Sequence, residues 1–258
     1  MRNYCTFMQK ELTENLRAKN ILVLACVFAF FAITSPLLTR YMAEFIGLFA
    51  GGGEMAQGLM AMLPEPTFGE SYANFYGNMA QVGSIAVILV YTSSILREKR
   101  SGTADIMFAK GLTAWQFVLA KFTVAAGIAA VCATLSAMVA YAYTLLLFGE
   151  AGHAGYVMLG GLAFALFLVM LLSITLFFSS FAKSAAASAV FSLLAFFLLA
   201  LSTVFLRIGQ YSPGSLMGSP IIIGQGAVPD GFAGQVMLSA IVTICAVIGA
   251  IRLAATRG

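Results

Sequence analysis

Six stretches of the chain are apolar almost without interruption: residues 21–38, 75–96, 122–148, 156–178, 185–206 and 236–251. Crossing the hydrocarbon takes about 20 helical residues, and each stretch comes close. A single segment in lipid must satisfy its own backbone polar groups, so each stretch reads as a helix. The short alternating strands of a membrane barrel are not visible. The predicted fold class is all-α: a polytopic membrane protein with six transmembrane helices, forming one transmembrane domain over residues 1–258. The third stretch exceeds what a crossing needs and is expected to tilt or project, with Gly127 a candidate kink. The sixth is the shortest.

The intervening segments differ in character. In residues 1–19, Tyr4, Phe7, Met8, Leu12 and Leu16 form a rough i, i+4 ladder, with Gln9, Lys10, Thr13, Glu14 and Arg17 filling the other positions. That pattern suits a helix lying in the membrane interface rather than a frayed terminus. Residues 97–116 begin with a basic cluster and pass through Gly102-Thr103 to a short apolar helix at 104–109. Thr113 is placed to cap the helix that follows, and Trp115 suits the interface. Ile106, Met107, Phe108 and Trp115 are more apolar than a plain connection needs. They fit either docking to another protein, the reading favoured here, or contact with the lipid interface. Residues 207–234 hold Pro213, Pro220 and Pro229 around an apolar run at 216–223. Too short to cross, that run either re-enters or caps the outer end of the bundle, or is a loop folded on its own helices.

Composition agrees with this pattern. Of 258 residues, 61% are hydrophobic and only 9% charged, whereas soluble domains carry about 25% charged residues. The net charge of +4 does not point to nucleic acid, because the placement of the charges matters more than their sum. Twelve basic residues fall on one side: Arg2, Lys10, Arg17, Lys19, Arg97, Lys99, Arg100, Lys110, Lys121, Lys183, Arg252 and Arg257. Only Arg40 and Arg207 fall on the other, together with Glu44, Glu54, Glu65, Glu70, Glu150 and Asp230. Both termini are therefore expected on the cytoplasmic side of the cell membrane. A polar segment precedes the first apolar run and no clear cleavage site follows it, so that run is expected to stay as an anchor.

Catalytic chemistry finds little support. His153 is the single histidine and sits in a short loop beside Gly152, so no HExxH site can form. The run Gly51-Gly52-Gly53 is not a phosphate loop, because GxxxxGK[ST] occurs nowhere in the chain. Cys5, Cys26, Cys132 and Cys245 lack metal-ligand or disulfide spacing. No Asp or Glu lies at the centre of a span, where an ion-coupled carrier usually keeps one. No metal, cofactor or catalytic residue is assigned. What the spans offer is uncharged polarity. Asn74, Asn78 and Gln81 share a face of the second span, and Ser184, Ser188 and Ser192 form a row on the fifth. Such rows line a hydrated route or a subunit interface, or let helices pack closely. Close packing is the safer reading for the serines.

In order, these segments resemble the membrane subunit of ATP-binding-cassette exporters of the second permease type. The resemblance is carried by KELTENLRAKN (residues 10–20), MLPEPTFGESYANFYGNMAQ (62–81) and REKRSGTADIMFAKGLTAWQFVLAKF (97–122). Within the last, Glu98, Gly102 and Thr103 match the family's Glu…Gly-Thr signature, and Lys121 its lysine at the start of the third span. The resemblance implies an N-terminal elbow helix over 1–19 and a coupling loop over 97–116. Glu98, Gly102, Thr103, Asp105, Ile106, Met107 and Phe108 would then dock a separate ABC-type ATPase subunit carrying ATP and Mg. It also implies a second permease copy or paralogue, with the substrate passing between the two through a route that Asn74, Asn78, Gln81, Ser184, Ser188 and Ser192 line or border. The rival functions are a stand-alone secondary carrier or channel and a non-transporting membrane scaffold or sensor. The substrate is open.

Overall fold

The computed structural model describes residues 2–49, 66–205 and 209–255. Gly51, Gly52, Gly53, Glu54, Pro64, Glu65, Leu206, Arg207 and Arg257 of the sequence reading lie outside them. The described residues form helices and no strand. α1 is Arg2–Arg17, α2 Asn20–Arg40, α3 Met42–Phe49, α4 Phe68–Asn78, α5 Ser84–Tyr91, α6 Ser94–Arg100, α7 Thr103–Ala109, α8 Ala114–Phe148, α9 Ala154–Phe181, α10 Ala185–Phe205, α11 Ser219–Gly224 and α12 Phe232–Ala255. Among the described residues six segments are long and apolar enough to cross a membrane: Asn20–Arg40, Phe68–Arg100, Ala114–Phe148, Ala154–Phe181, Ala185–Thr203 and Phe232–Ala255. The protein is a multi-pass membrane protein with the predicted number of spans.

Burial ranks those spans. The fourth is 67% buried and the second 56%, against 17% for the fifth and 11% for the sixth. α9 is thus the hub, packed by α8, α12, α10, α11 and α5. Its paired glycines make this close approach feasible. A Cβ on Gly161 would lie 2.9 Å from that of Ala137 in α8, and one on Gly160 would lie 2.8 Å from Tyr76 Oη. Tyr76 uses that hydroxyl to donate to the Val157 carbonyl at 2.8 Å, and Tyr72 donates to the Ala151 carbonyl at 2.8 Å. Ser71 and Thr144 add a hydroxyl pair at 2.9 Å. Buried hydroxyls that find partners this way hold helices together where lipid gives apolar faces no reason to leave it.

Two expectations are corrected, and an alternative left open for residues 216–223 is resolved. The second and third spans begin at Phe68 and Ala114, well before residues 75 and 122. Their polar first turns are held by packing and caps: Thr67 and Glu70 form a reciprocal capping box on α4, and Phe117, Val118 and Ala120 are buried. Gly127 does not interrupt α8, which is continuous; the irregularity lies in the second span, as a π-helical turn at Met79–Gly83 and a break at residues 92–93. The 216–223 run becomes part of a 3-10 turn, Pro213–Met217, followed by α11. Leu216, Pro220 and Ile223 are buried there against the bundle's own helices.

Candidate functional site: an ionic joint beneath a short helix

The second span ends in the short helix α6, and a further short helix, α7, follows before α8 begins. α6 carries Arg97, Lys99 and Arg100 in its last turn. Gly102 then takes φ 70°, a left-handed conformation that suits glycine, and lets the chain double back into α7. Ala104 is fully buried under α7. Phe108 turns inward and meets Phe117 edge-on at 5.5 Å between ring centres, while Met107 packs partly buried against the same cluster. Among the three apolar side chains expected to face outward, only Ile106 does so, at 58% exposure, with Asp105 and Lys110 exposed beside it. Trp115 is also exposed, and its ring stacks near Tyr4. α8 starts where Thr113 N–H donates to Gln116 Oε1 at 3.1 Å, as its capping position predicts.

α1 is the helix that the sequence predicts, and the face it turns to the bundle is a polar one that the apolar ladder did not specify. Phe7, Glu11 and Asn15 are buried, while Leu12 and Leu16 are exposed. Burying a carboxylate is costly unless it is paired, and Glu11 is paired well. Lys121 of α8 donates to both Glu11 oxygens at 2.9 and 3.0 Å and lies 3.1 Å from Glu98 Oε2 of α6. Glu11, Glu98 and Lys121 are 3%, 5% and 4% exposed. Lys10 lies 2.5 Å from Glu98 and 2.9 Å from Glu14, and Arg97 closes the ring on Glu14 at 2.5 Å. Three cations meet three carboxylates, so the charge is balanced. The carboxylate oxygens of Glu11, Glu14 and Glu98 lie within 4.8 Å of one another. Lys10 and Lys121 already bridge and neutralise them, so the cluster reads as an ion network with no charge left for a metal to balance.

Further bonds fasten this joint to the rest of the molecule. Asn15 donates to the Glu11 carbonyl at 2.9 Å, and Asn20 of α2 donates to Asn15 Oδ1 at 3.0 Å. Ser179 Oγ of α9 accepts the Ile95 and Leu96 N–H groups at 3.2 and 3.3 Å, satisfying the first turn of α6. Lys99 donates to the Ser180 and Leu253 carbonyls, and the Arg100 guanidinium donates to the Lys183 carbonyl. α6 therefore ties α1, α8, α9 and α12 together directly beneath α7.

The titration of two members follows from this geometry. Burial alone would lower the Lys10 pKa, but the hydrogen bonds it donates to Glu98 and Glu14 outweigh it and raise the pKa above the ordinary lysine value. Burial would raise Glu14; the Lys10 hydrogen bond and charge overcome it and hold the carboxyl below its usual range. Glu14 therefore contributes stability that is present above its unfolded pKa and lost as pH falls through the depressed folded value. The Lys10 contribution is complete below its unfolded pKa and lost only as pH rises through the raised folded value. Across neutral pH both act. Hydrogen–deuterium exchange of residues 2–17, corrected for intrinsic rates, is expected to be slow at pH 7 and to accelerate below the normal carboxylate range. Equal protection at pH 7 and pH 3 would refute the ionic origin of the joint.

The remaining candidates fall in two groups. Asn74 donates to Thr39 Oγ1 at 2.9 Å and Asn78 to Ser35 Oγ at 3.2 Å, forming a polar seam between the first and second spans. Gln81 lies on the π-helical turn and is exposed. On the fifth span, Ser184 Oγ accepts the Ala187 N–H at 3.0 Å as a helix cap. Ser188 and Ser192 are fully buried, and Ser192 donates to the Ser188 carbonyl. Among the described residues no hydrogen bond joins the amide row to the serine row. His153 is exposed in its loop. Gly102 and Thr103 sit at the turn into α7, where Thr103 and Ser101 hydroxyls pair at 2.7 Å. Glu98 is placed in the joint rather than at the surface. Sequence reasoning missed Lys10, Glu11, Glu14 and Arg97 as members of that joint. The i, i+4 pair Lys10–Glu14 was the one local signal available.

Two comparisons bear on this arrangement. A family model described as "ABC-2 family transporter protein" matches residues 59–252, which takes in α4 through most of α12 and leaves out α1, α2 and α3. A Bacillus subtilis (strain 168) protein named "Uncharacterized transmembrane protein YxlG" is 24% identical over 189 residues, covering 73% of this chain and 72% of its own length.

Proposed function

Because the chain belongs to the ABC-2 family of transporter proteins, we propose that it is the permease subunit of an ATP-driven exporter, docked at α7 by a separate ABC-type ATPase. The observation that carries this reading is the exposed tip of α7 standing on the ionic joint. A force applied at Ile106 reaches the end of the second span through α6. From there it reaches the start of the third span through Glu98 and Lys121, and α1 through Glu11. A partner that moves α7 then moves three elements as a unit, which is what an external motor needs. A loop that only joined two spans would not require three buried charges beneath it.

The distribution of basic residues supports α7 and both termini lying on the cytoplasmic side, where ATP is available. ATP and Mg belong to the partner, and ATP binding there closes two ATPases and rocks two permeases between inward- and outward-facing states. Either two copies of this chain or one copy and a paralogue enclose the route. The weakly buried fifth span and the exposed Asn74 and Gln81 of the second are available to face it. Glu98, Gly102, Thr103, Met107 and Phe108 shape and brace the docking element, while Asp105 and Ile106 meet the partner.

The test is purification from the native membrane. An ABC-type ATPase is expected to co-purify, and the chain separated from it is expected to hydrolyse no ATP. Turnover by the isolated chain, or gradient-driven solute flux in liposomes containing it alone, would overturn the proposal.

A further inference from the structure

The end of the bundle opposite the termini contains a cleft of ≈ 660 Å³ between α10, the segment from Gln210 to Asp230 and α12. Pockets that take drug-sized ligands span about 300–1,000 Å³. Neither the ionic joint nor the docking helix uses this one.

Its floor is polar and ordered. Ser219 and Gln235 are both buried. Ser219 Oγ donates to Gln235 Oε1 at 2.5 Å, and Gln235 Nε2 donates to the Gln210 carbonyl at 2.8 Å. A carboxamide offers two N–H donors and two acceptor lone pairs. Those two bonds occupy one of each, so Gln235 keeps one donor and one acceptor for an occupant. The walls are apolar: Ala200, Met217, Ile222, Val228 and Pro229. At the rim, Asp230 is the one charged lining side chain among the described residues. Its loop is seated firmly, because a Cβ on Gly231 would lie 2.8 Å from the Tyr211 ring. The 3-10 turn beside it abuts α10 so closely that a Cβ on Gly214 would collide with the Leu199 carbonyl. Two of the segments that wall the cleft are thus packed closely on their neighbours.

We propose that this cleft binds an organic cation of amphiphilic character, its apolar body against Met217, Ile222 and Val228 and its charged head on Asp230. An anion would be repelled by the carboxylate at the rim and find no cation among the described lining residues to balance it, and an uncharged hydrocarbon would leave Asp230 and the spare Gln235 groups without a gain. The proposal concerns binding to this chain and does not rest on ATP coupling.

The experiment uses the full chain in phosphatidylcholine nanodiscs without nucleotide, and follows the fluorescence anisotropy of rhodamine 6G, with tetraphenylphosphonium as competitor. Saturable binding displaced by the competitor is expected. Asp230→Asn is expected to weaken binding about tenfold, close to 1.4 kcal/mol. Val228→Trp, at an exposed wall position, is expected to abolish binding by filling the cleft while the thermal midpoint stays unchanged. Glu150→Gln, an acid outside the cleft lining, should leave binding intact. Identical binding to wild type, Asp230→Asn and Val228→Trp would mean that the dye dissolves in the bilayer, and would overturn the site. Loss with Val228→Trp but not with Asp230→Asn would overturn the cationic class.

Discussion

Replacing Lys121 with methionine is expected to destabilise the purified protein by about 3–5 kcal/mol, the usual cost of removing one partner from a buried ion pair. Methionine matches the length of the lysine stem, so the apolar packing against Phe117 survives; what disappears is the charge. Glu11 and Glu98, both buried, would then face each other without the cation that lies 2.9–3.1 Å from them. Lys10 offsets only part of that loss, because it lies 3.3 Å from Glu11 and already serves Glu98 and Glu14 from a more exposed position. The measurement is thermal unfolding in detergent, followed together with the monodisperse fraction on size exclusion. Adding Glu98→Gln to Lys121→Met restores equal numbers of cations and carboxylates and should recover a large part of the loss. If the double variant melts no higher than the single one, the role of Lys121 is steric and the joint is not held by charge.

That joint also shows where local pattern stops carrying information. The six spans are legible because some 20 apolar residues in lipid have no alternative to a helix. The short helix after Gly102 is legible because glycine, a polar turn and an apolar run succeed one another. The inward face of α1 is not. Tyr4, Phe7, Met8, Leu12 and Leu16 make one acceptable stripe, and Tyr4, Phe7, Met8, Glu11 and Asn15 make another of the same period. Hydropathy marks the first as the face for the membrane interface and says nothing of the second, which packs on the bundle because a lysine 110 positions away in sequence pairs with Glu11. Leu12 and Leu16 lose nothing by exposure if lipid is their solvent. The same distance effect turns Phe108 inward, since Phe117 lies across the turn from it. It likewise sets the starts of the second and third spans, whose polar first turns are held by a capping box and by buried side chains rather than by hydropathy. The amide row of Asn74 and Asn78 was legible as a row, but its partners Thr39 and Ser35 belong to another span.

The second large effect separates docking from folding. Ile106→Asp is expected to release the co-purifying ATPase while the chain melts as the wild type does. Ile106 is exposed, so an aspartate there meets water in the free chain and costs little. In a complex the same carboxylate would be desolvated beneath the partner with no cation to receive it. The penalty is about 2 kcal/mol or more, a loss of some 30-fold in affinity. Phe108→Asp is expected to behave oppositely. Its charge would enter the cluster formed by Phe7, Ile95, Ala104 and Phe117, lowering the thermal midpoint and the yield before any partner is considered. A pull-down alone would score both variants as losses, so stability must be read beside it. Retention of the ATPase by Ile106→Asp, at wild-type stoichiometry and salt tolerance, would move the docking surface away from α7. It would leave the joint of Lys121, Glu11 and Glu98 as a brace for the bundle instead of a lever for a motor.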